Sequence, residues 1–431
     1  MGACHFWPKS DRHPTGRNKL TKAKKAPDLK KRHSFFEAER KLCCFLIVPF
    51  FKWLFGVEKS GEMSLPEGPC VILYNHVTDF DVVWIIDAFH EFMYCVASEH
   101  LVRVPLAGAI LKTFVAPILK KKGTNGAGVV LEMSRILRAG YKVLLAPEGL
   151  RSGNGRTGEI APVTAAVLQK LKCPVVMIRI HGGFLTTPRW GKGIRKGRIR
   201  IEKAAEYSKE EIASMSEEEF YEHIIKDLAV DAYENPSAHK GKRPAENIEL
   251  QLYLCPSCKE FGTIRSKKKE FFCNCGLRGT IDEYGMLKGE KIPYRTVTEW
   301  DFWQRDYIDN TVLPDSVEDK EAENGVAGKK EVGKADKILL RSPSLAIHRI
   351  EKDHKDEVLS SGDLVLTVDE ISVGEVSVPI AEISDVSIYS YGILLIATKD
   401  GKYYEIKGKQ KYPGEAYLIF IKKLNSSKGG K

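Results

Sequence analysis

No stretch of this 431-residue chain offers the roughly 20 uninterrupted apolar residues that a membrane-spanning helix needs. The strongest apolar run, Leu42-Cys43-Cys44-Phe45-Leu46-Ile47-Val48-Pro49-Phe50-Phe51-Lys52-Trp53-Leu54-Phe55, is short, and Pro49 and Lys52 interrupt it. Residues 35–57 therefore read as a kinked helix pair lying in a membrane interface, with Phe and Trp as anchors. The run is also the first apolar one in the chain, so no secretory signal is expected. Met1-Gly2 opens like a myristoylation site, but Phe6 stands where Ser or Thr is required. There is no Gly-x-Ser-x-Gly elbow, which removes the usual serine acyl-enzyme route. Nor is there a disulfide framework among the ten cysteines. Four cluster late in the chain with metal-ligand spacing, while Cys70, Cys95 and Cys173 sit in or beside apolar strand runs, as buried thiols do. A reducing cytosolic setting follows.

The charge is unevenly spread. Ten Lys and Arg against Asp11 and Asp28 give residues 1–33 a net +8, most of the chain's excess of +10. Residues 1–34 read as a disordered basic tail, attracted to anionic lipid by its place before the apolar segment. A solvated tail or a nucleic-acid arm is the alternative.

The chemistry gathers around Tyr74-Asn75-His76-Val77-Thr78-Asp79-Phe80-Asp81. The apolar run Cys70–Tyr74 predicts a buried strand, and Val82–Phe89 a mostly apolar helix capped by Thr78 or Asp79. His76 then lies in the loop and Asp81 in the first helical turn, so the two can face each other. A carboxylate on one imidazole nitrogen fixes the tautomer and leaves the other nitrogen as a base. The same spacing also fits a capping box of Thr78 and Asp81. A second polar loop, Ala146-Pro147-Glu148-Gly149-Leu150-Arg151-Ser152, follows the apolar strand Tyr141–Leu145. Ligands of open α/β sheets bind outside the carboxyl ends of the strands, so the two loops are expected to line one crevice. Arg151 suits a phosphate there, with a surface Pro-Glu-Gly turn as the blander reading.

Asn-His-x-x-x-x-Asp followed by Pro-Glu-Gly-x-Arg-Ser resembles the glycerolipid acyltransferases, in particular the lysophosphatidic acid acyltransferases. Pro105-Leu106-Ala107-Gly108 with Ile118-Leu119-Lys120-Lys121, and Cys173-Pro174-Val175-Val176, resemble that family's second and fourth blocks. Lys120 or Lys121 stands where the second block has Arg, and Ala146 and Leu150 replace Phe and Thr in the third. The resemblance covers roughly residues 40–230. It implies His76 as general base, Asp81 as its orienting partner, the Gly149 N–H as an oxyanion donor, and Glu148, Arg151 and Lys121 as holders of glycerol and phosphate. It also implies an acyl-coenzyme A or acyl-carrier-protein donor and a lysophosphatidate acceptor at the cytoplasmic face of a membrane. Glycerol 3-phosphate or another lysophospholipid as acceptor, and a non-catalytic membrane adaptor, stay open.

The fold class expected is an α/β acyltransferase domain with a largely parallel sheet over residues 58–240. Strands at Cys70–Tyr74, Phe92–Ala97, Lys142–Leu145 and Val175–Ile180 alternate with helices at Val82–Phe89, Leu106–Phe114, Ala127–Arg138 and Pro162–Leu171. Arg195–Ile201 reads as an edge strand, Ser208–Glu234 as closing helices, and Glu234–Glu246 as a polar linker. Cys255-Pro256-Ser257-Cys258 and, after fourteen intervening residues, Cys273-Asn274-Cys275 predict a small zinc ribbon at 248–292, closed and structural. Its mixed basic and aromatic run, Arg265 to Phe272, is of a kind that binds nucleic acid, but nucleic acid is not the partner expected beside an acyltransferase. Residues 293–335 read as an aromatic helix and a charged linker. Residues 336–425 read as a barrel-like all-β domain with a C-terminal helix, resembling pleckstrin-homology domains in element order.

Overall fold

The computed structural model describes residues 29–61, 63–98, 117–120, 126–313, 338–350, 356–389 and 392–428. Its first half is built on a seven-stranded sheet. In chain order the strands are β1 (Val57–Ser60), β2 (Val71–Tyr74), β3 (Tyr94–Ser98), β4 (Ile118–Lys120), β5 (Val143–Leu145), β6 (Val175–His181) and β7 (Ile199–Tyr207). Their spatial order is β1-β7-β6-β2-β5-β3-β4, parallel throughout except for the antiparallel β6–β7 pair.

Both faces are covered, and the pleat decides which residue goes where. Val71, Leu73, Val143, Val175 and Met177 point to one face, under α4 (Ala127–Arg138), α5 (Val163–Leu171) and α8 (Glu217–Leu228). Cys70, Ile72, Tyr74, Leu144, Val176 and Ile178 point to the other, under α2 (Val48–Phe55) and α3 (Asp81–Phe89). Burial on both faces explains why these strands are continuous apolar runs without alternation. A short helix, α6 (Gly183–Thr186), follows β6, and the closing helices α7 (Lys209–Ser214) and α8 begin at Ser208 and Ser216, each accepting the N–H three residues on.

At the N-terminal end, α1 (Leu29–Leu46) breaks at Ile47 and continues as α2, with Pro49 in the first turn. Proline has no N–H to give, so the kink falls where the sequence places it. The expected tail is shorter than residues 1–34: α1 starts at Leu29, and His33 stacks on Tyr141 with ring centroids 4.0 Å apart. Residues 1–28 lie outside the described residues. The short β1 was not legible, since Val-Glu-Lys-Ser carries no pattern. It pairs with the outer side of β7, so the strand at Ile199 is internal rather than an edge.

The second half carries a four-stranded antiparallel sheet of β8 (Ile264–Lys267), β9 (Glu270–Cys273), β10 (Arg278–Ile281) and β11 (Leu287–Lys288), then α9 (Val297–Asn310). A seven-stranded antiparallel sheet follows, in the order β15-β14-β13-β12-β18-β17-β16. Its members are β12 (Ile338–Ile350), β13 (Asp356–Thr367), β14 (Glu370–Val373), β15 (Val376–Pro379), β16 (Ile383–Tyr389), β17 (Ile393–Thr398) and β18 (Tyr403–Lys407), with α10 (Gly414–Lys428) packed on it. The long β12 runs on through a register shift between Ser342 and Leu345. The expected linker at Glu234–Glu246 is packed, not free. His239 is buried and donates its N–H to Glu283, while Lys196 and Lys240 exchange backbone hydrogen bonds. Trp190 of the first half shares one core with Ile248, Cys255, Cys273 and Trp300.

Candidate active site

Asn75 ends β2 and replaces a ladder partner. Its amide accepts from the Ile180 N–H at 2.7 Å and donates to the Ile180 carbonyl at 3.0 Å. The next residue, His76, is thereby free to leave the sheet at its carboxyl edge. Loops after β2, β5 and β6 all emerge there, because these three neighbours run parallel.

Asp81 opens α3 and reaches back into the loop. Its Oδ2 lies 2.8 Å from His76 Nδ1, and the carboxylate also accepts from the Val77 N–H (2.8 Å), the Thr78 N–H (3.0 Å) and Thr78 Oγ1 (2.6 Å). One carboxylate therefore ties the loop together and faces the imidazole, whereas the cap of α3 falls at Phe80 without a side-chain bond, so neither the expected cap at Thr78 or Asp79 nor the capping box of Thr78 and Asp81 is formed. Asp81 is fully enclosed, while the His76 side chain keeps 27% exposure. With Nδ1 on Asp81, Nε2 is the nitrogen left for an incoming proton.

The second loop grips the first. Glu148 Oε1 accepts the His76 N–H at 2.7 Å and Oε2 accepts the Gly158 N–H at 2.5 Å. The Ser152 N–H donates to the His76 carbonyl at 2.8 Å. Burial pushes the Glu148 carboxyl up to about 7, against the pull of the Gly158 and His76 amides. A Cβ at position 158 would stand 2.9 Å from Glu148 Oε2 and press on that carboxylate. Glu148 thus spends both oxygens on backbone amides and fixes the backbone of His76. Each oxygen keeps a second acceptor position beyond its amide.

Arg151 ties three loops together. It donates to the Thr187 carbonyl (2.5 Å), to the Val77 carbonyl (3.2 and 3.3 Å) and to Asp79 Oδ2 (2.8 Å). The first two are uncharged acceptors inside the fold; Asp79 is an exposed carboxylate, 75% accessible, at the mouth of the crevice. Gly149 sits at φ +71°, where a side chain would be strained, and faces open space. Its N–H donates to the Ala146 carbonyl at 3.2 Å and closes the strand-end turn. The oxyanion-donor expectation for that N–H is corrected accordingly. Lys121 and the Pro105–Gly108 block lie outside the described residues. Asn75 and Ser152 stand inside the two motifs, yet spacing alone gave them no role, and it gave Thr78 only that of a cap. Asp79, Gly158 and Thr187 carried no signal of function.

Residues 56–181 match the family model described as Acyltransferase. Over those residues the chain is similar to acyltransferases. It is similar to the chloroplastic 1-acyl-sn-glycerol-3-phosphate acyltransferase BAT2 of Brassica napus, 24% identical over 159 residues, 36% of this chain and 45% of that protein. It is also similar to the chloroplastic 1-acyl-sn-glycerol-3-phosphate acyltransferase LPAT1 of Arabidopsis thaliana, 25% identical over 157 residues, 36% of this chain and 43% of that one. The chain therefore spans less than half the length of these two relatives. The crystal structure of the 1-acyl-sn-glycerophosphate (LPA) acyltransferase PlsC from Thermotoga maritima aligns with 47% of this chain and 80% of that one, at 19% identity and a TM-score of 0.39.

A second candidate site lies away from the acyltransferase crevice. The four sulfurs of Cys255, Cys258, Cys273 and Cys275 lie within 4.8 Å of one another. Cys255 and Cys275 are 3.6 Å apart, Cys258 and Cys273 3.8 Å. Zinc–sulfur bonds of about 2.3 Å in a tetrahedron place ligand sulfurs roughly 3.8 Å apart, so the set fits such an ion. Two tight turns build it: the Lys259 N–H returns to the Cys255 carbonyl, and the Gly276 N–H to that of Cys273.

Proposed function

We propose that this protein is a membrane-associated O-acyltransferase, moving an acyl chain from a thioester to the free hydroxyl of lysophosphatidic acid to give phosphatidic acid. The observation that carries this reading is the His76–Asp81 pair at the junction of three strand-end loops, with Arg151 beside it. His76 Nε2 takes the proton of the acceptor hydroxyl as its oxygen attacks the thioester carbonyl carbon. The carbon–sulfur bond then breaks, and the leaving thiolate takes the proton back from the imidazolium. Asp81 holds the tautomer for the first step and stabilises the cation between the two; such general-base help is worth about 10²–10⁴-fold. The donor is acyl-coenzyme A or acyl carrier protein, and no acyl-enzyme is formed. Arg151 takes the acceptor phosphate, which displaces Asp79 and leaves the two backbone contacts in place. Lys121 is a further phosphate ligand in this reading.

The acceptor reaches the site from the bilayer. No described helix is long and apolar enough to cross a membrane. Phe35, Leu42, Phe45, Leu46, Phe50 and Trp53 of α1 and α2 are instead exposed, Phe45 by 79%. An apolar ledge of this kind suits insertion into the interface. Zinc at the four cysteines would be structural, since four protein thiolates leave no open position. The antiparallel strand order of the last domain supports the pleckstrin-homology-like reading.

The deciding experiment is acceptor profiling with purified protein in vesicles, acyl-coenzyme A and a panel of lysolipids plus glycerol 3-phosphate. Lysophosphatidate is expected to be acylated fastest. Faster transfer to a neutral lysolipid would refute the Arg151 assignment, and no transfer to any acceptor the whole reading.

A further inference from the structure

The loop that grips His76 does not end at the crevice; it is itself anchored in the second half of the chain. Leu150 packs against the core of the β12–β18 sheet. Asn154 Nδ2 donates to Asp301 Oδ2 at 2.8 Å, and Thr298 Oγ1 donates to the Asn154 carbonyl at 2.8 Å. Both partners belong to α9, and Asp301 is wholly buried. Gln251 Nε2 (2.8 Å), Gln304 Nε2 (2.8 Å) and Arg305 Nε (2.7 Å) also converge on Asp301, and Arg305 is bonded in turn to Glu415 of α10.

On the other side, the loop closes on the reactive histidine. The Gly155 N–H donates to Ser152 Oγ at 3.0 Å, Ser152 Oγ to the Arg156 carbonyl at 2.7 Å, and the Ser152 N–H to the His76 carbonyl at 2.8 Å. A short tract of hydrogen bonds and chain therefore runs from a buried carboxylate on α9 to the backbone of His76.

We propose that Asn154 and Asp301 are positioning residues for acyl transfer, through which α9 holds the 148–156 loop and with it His76. The second half is then part of the active-site scaffold, not an appended module. The sequence offers a reason: Leu150 stands where the resembled family has Thr, and its apolar side chain has a core to enter. The inference rests on the functional reading above.

The test compares full-length wild type with Asn154→Ala, Asn154→Asp, and Asn154→Asp combined with Asp301→Asn. Misplacement by about 1 Å can cost on the order of 10²-fold, so Asn154→Ala should lower kcat by roughly 10- to 100-fold. KM for donor and acceptor should stay within about twofold of wild type, because the Asn154 amide is engaged by Asp301 of α9. Asn154→Asp sets like charges together and should be slower still. The double variant restores a donor–acceptor pair between 154 and 301 but turns the new amide NH₂ towards Arg305 Nε, so it should recover only a small part of the kcat lost in Asn154→Asp. A purely structural role gives the opposite pattern: less folded protein, a lower Tm, and unchanged kcat per folded molecule. That result overturns the proposal. Hydrogen exchange supplies a reading independent of turnover, since backbone amides of residues 148–158 should exchange faster in Asn154→Ala. Unchanged exchange there overturns the proposal even if the wild type proves to transfer no acyl chain, an outcome that would sink the functional reading alone.

Discussion

Asp81→Asn separates the two duties of one carboxylate. Four donors converge on Asp81: His76 Nδ1, the Val77 and Thr78 amides and Thr78 Oγ1. Asparagine can place its oxygen where Oδ2 was and keep the first three. Its NH₂ then faces Thr78 Oγ1, a hydroxyl that can turn to accept. Each retained bond changes from charged to neutral, a loss of about 1 kcal/mol, so stability should fall by roughly 3 kcal/mol. A domain of ordinary stability, about 5–15 kcal/mol, survives that. Asp81→Ala would instead leave four donors unmet at about 1–3 kcal/mol each and should not yield soluble protein. Catalysis loses more. The imidazolium formed when His76 takes the proton no longer faces an anion. At this separation, with an effective dielectric near 20, that attraction is at most about 6 kcal/mol. Discounting for the exposed side of the ring leaves roughly 3–5 kcal/mol, or about 10²–10⁴-fold in kcat. Initial rates at saturating donor and acceptor in vesicles, with Tm measured in parallel, read both effects. Turnover within threefold of wild type alongside a lowered Tm would show that Asp81 only closes the turn, and the base mechanism would fall.

Glu148 makes a pH prediction. Its carboxyl is raised from 4.5 to about 7, so between those values the folded state binds more protons than the unfolded one. The stability contributed by this group is present at low pH and is lost as pH rises through about 7, by roughly 3 kcal/mol. Denaturant titrations of wild type and Glu148→Gln should diverge across that window, and parallel curves would refute the assignment. Asp79→Asn frees Arg151 from its exposed partner and should lower KM for lysophosphatidate about threefold without changing the donor KM; a raised acceptor KM would mean that Asp79 helps to bind. Cys258→Ser should abolish metal binding by elemental analysis and open residues 245–290 to protease. Activity should fall with it, because Trp190 shares the core of Cys255 and Cys273; full activity in the protease-sensitive protein would restore a separable module. Phe45→Glu with Trp53→Glu should release the protein from vesicles at unchanged Tm, as sedimentation would show.

Much of the site was legible because its chemistry is local. His76 and Asp81 are five residues apart, and a strand, a short loop and a helix fix their approach from pattern alone. The buried strands were legible for a similar reason: sheets covered on both faces demand unbroken apolar runs, and β2, β5 and β6 have them. The cysteine spacing likewise forecasts a cluster that two tight turns bring together.

What the sequence could not decide lies between distant segments. Glu148 and His76 meet across 72 residues, Arg151 and Thr187 across 36, Asn154 and Asp301 across 147. No period or motif encodes such pairs, because they depend on which strand ends lie side by side. So Glu148 and Arg151 read as substrate ligands, whereas folding gives Glu148's oxygens to two amides and leaves Arg151 one exposed partner to exchange. The stretch at Glu234–Glu246 reads as a linker for the same reason: polar composition suggests solvent, but packing between two sheets satisfies its backbone groups within the protein. Local chemistry set the identity of the base and its partner. Tertiary structure alone decided what holds them in place.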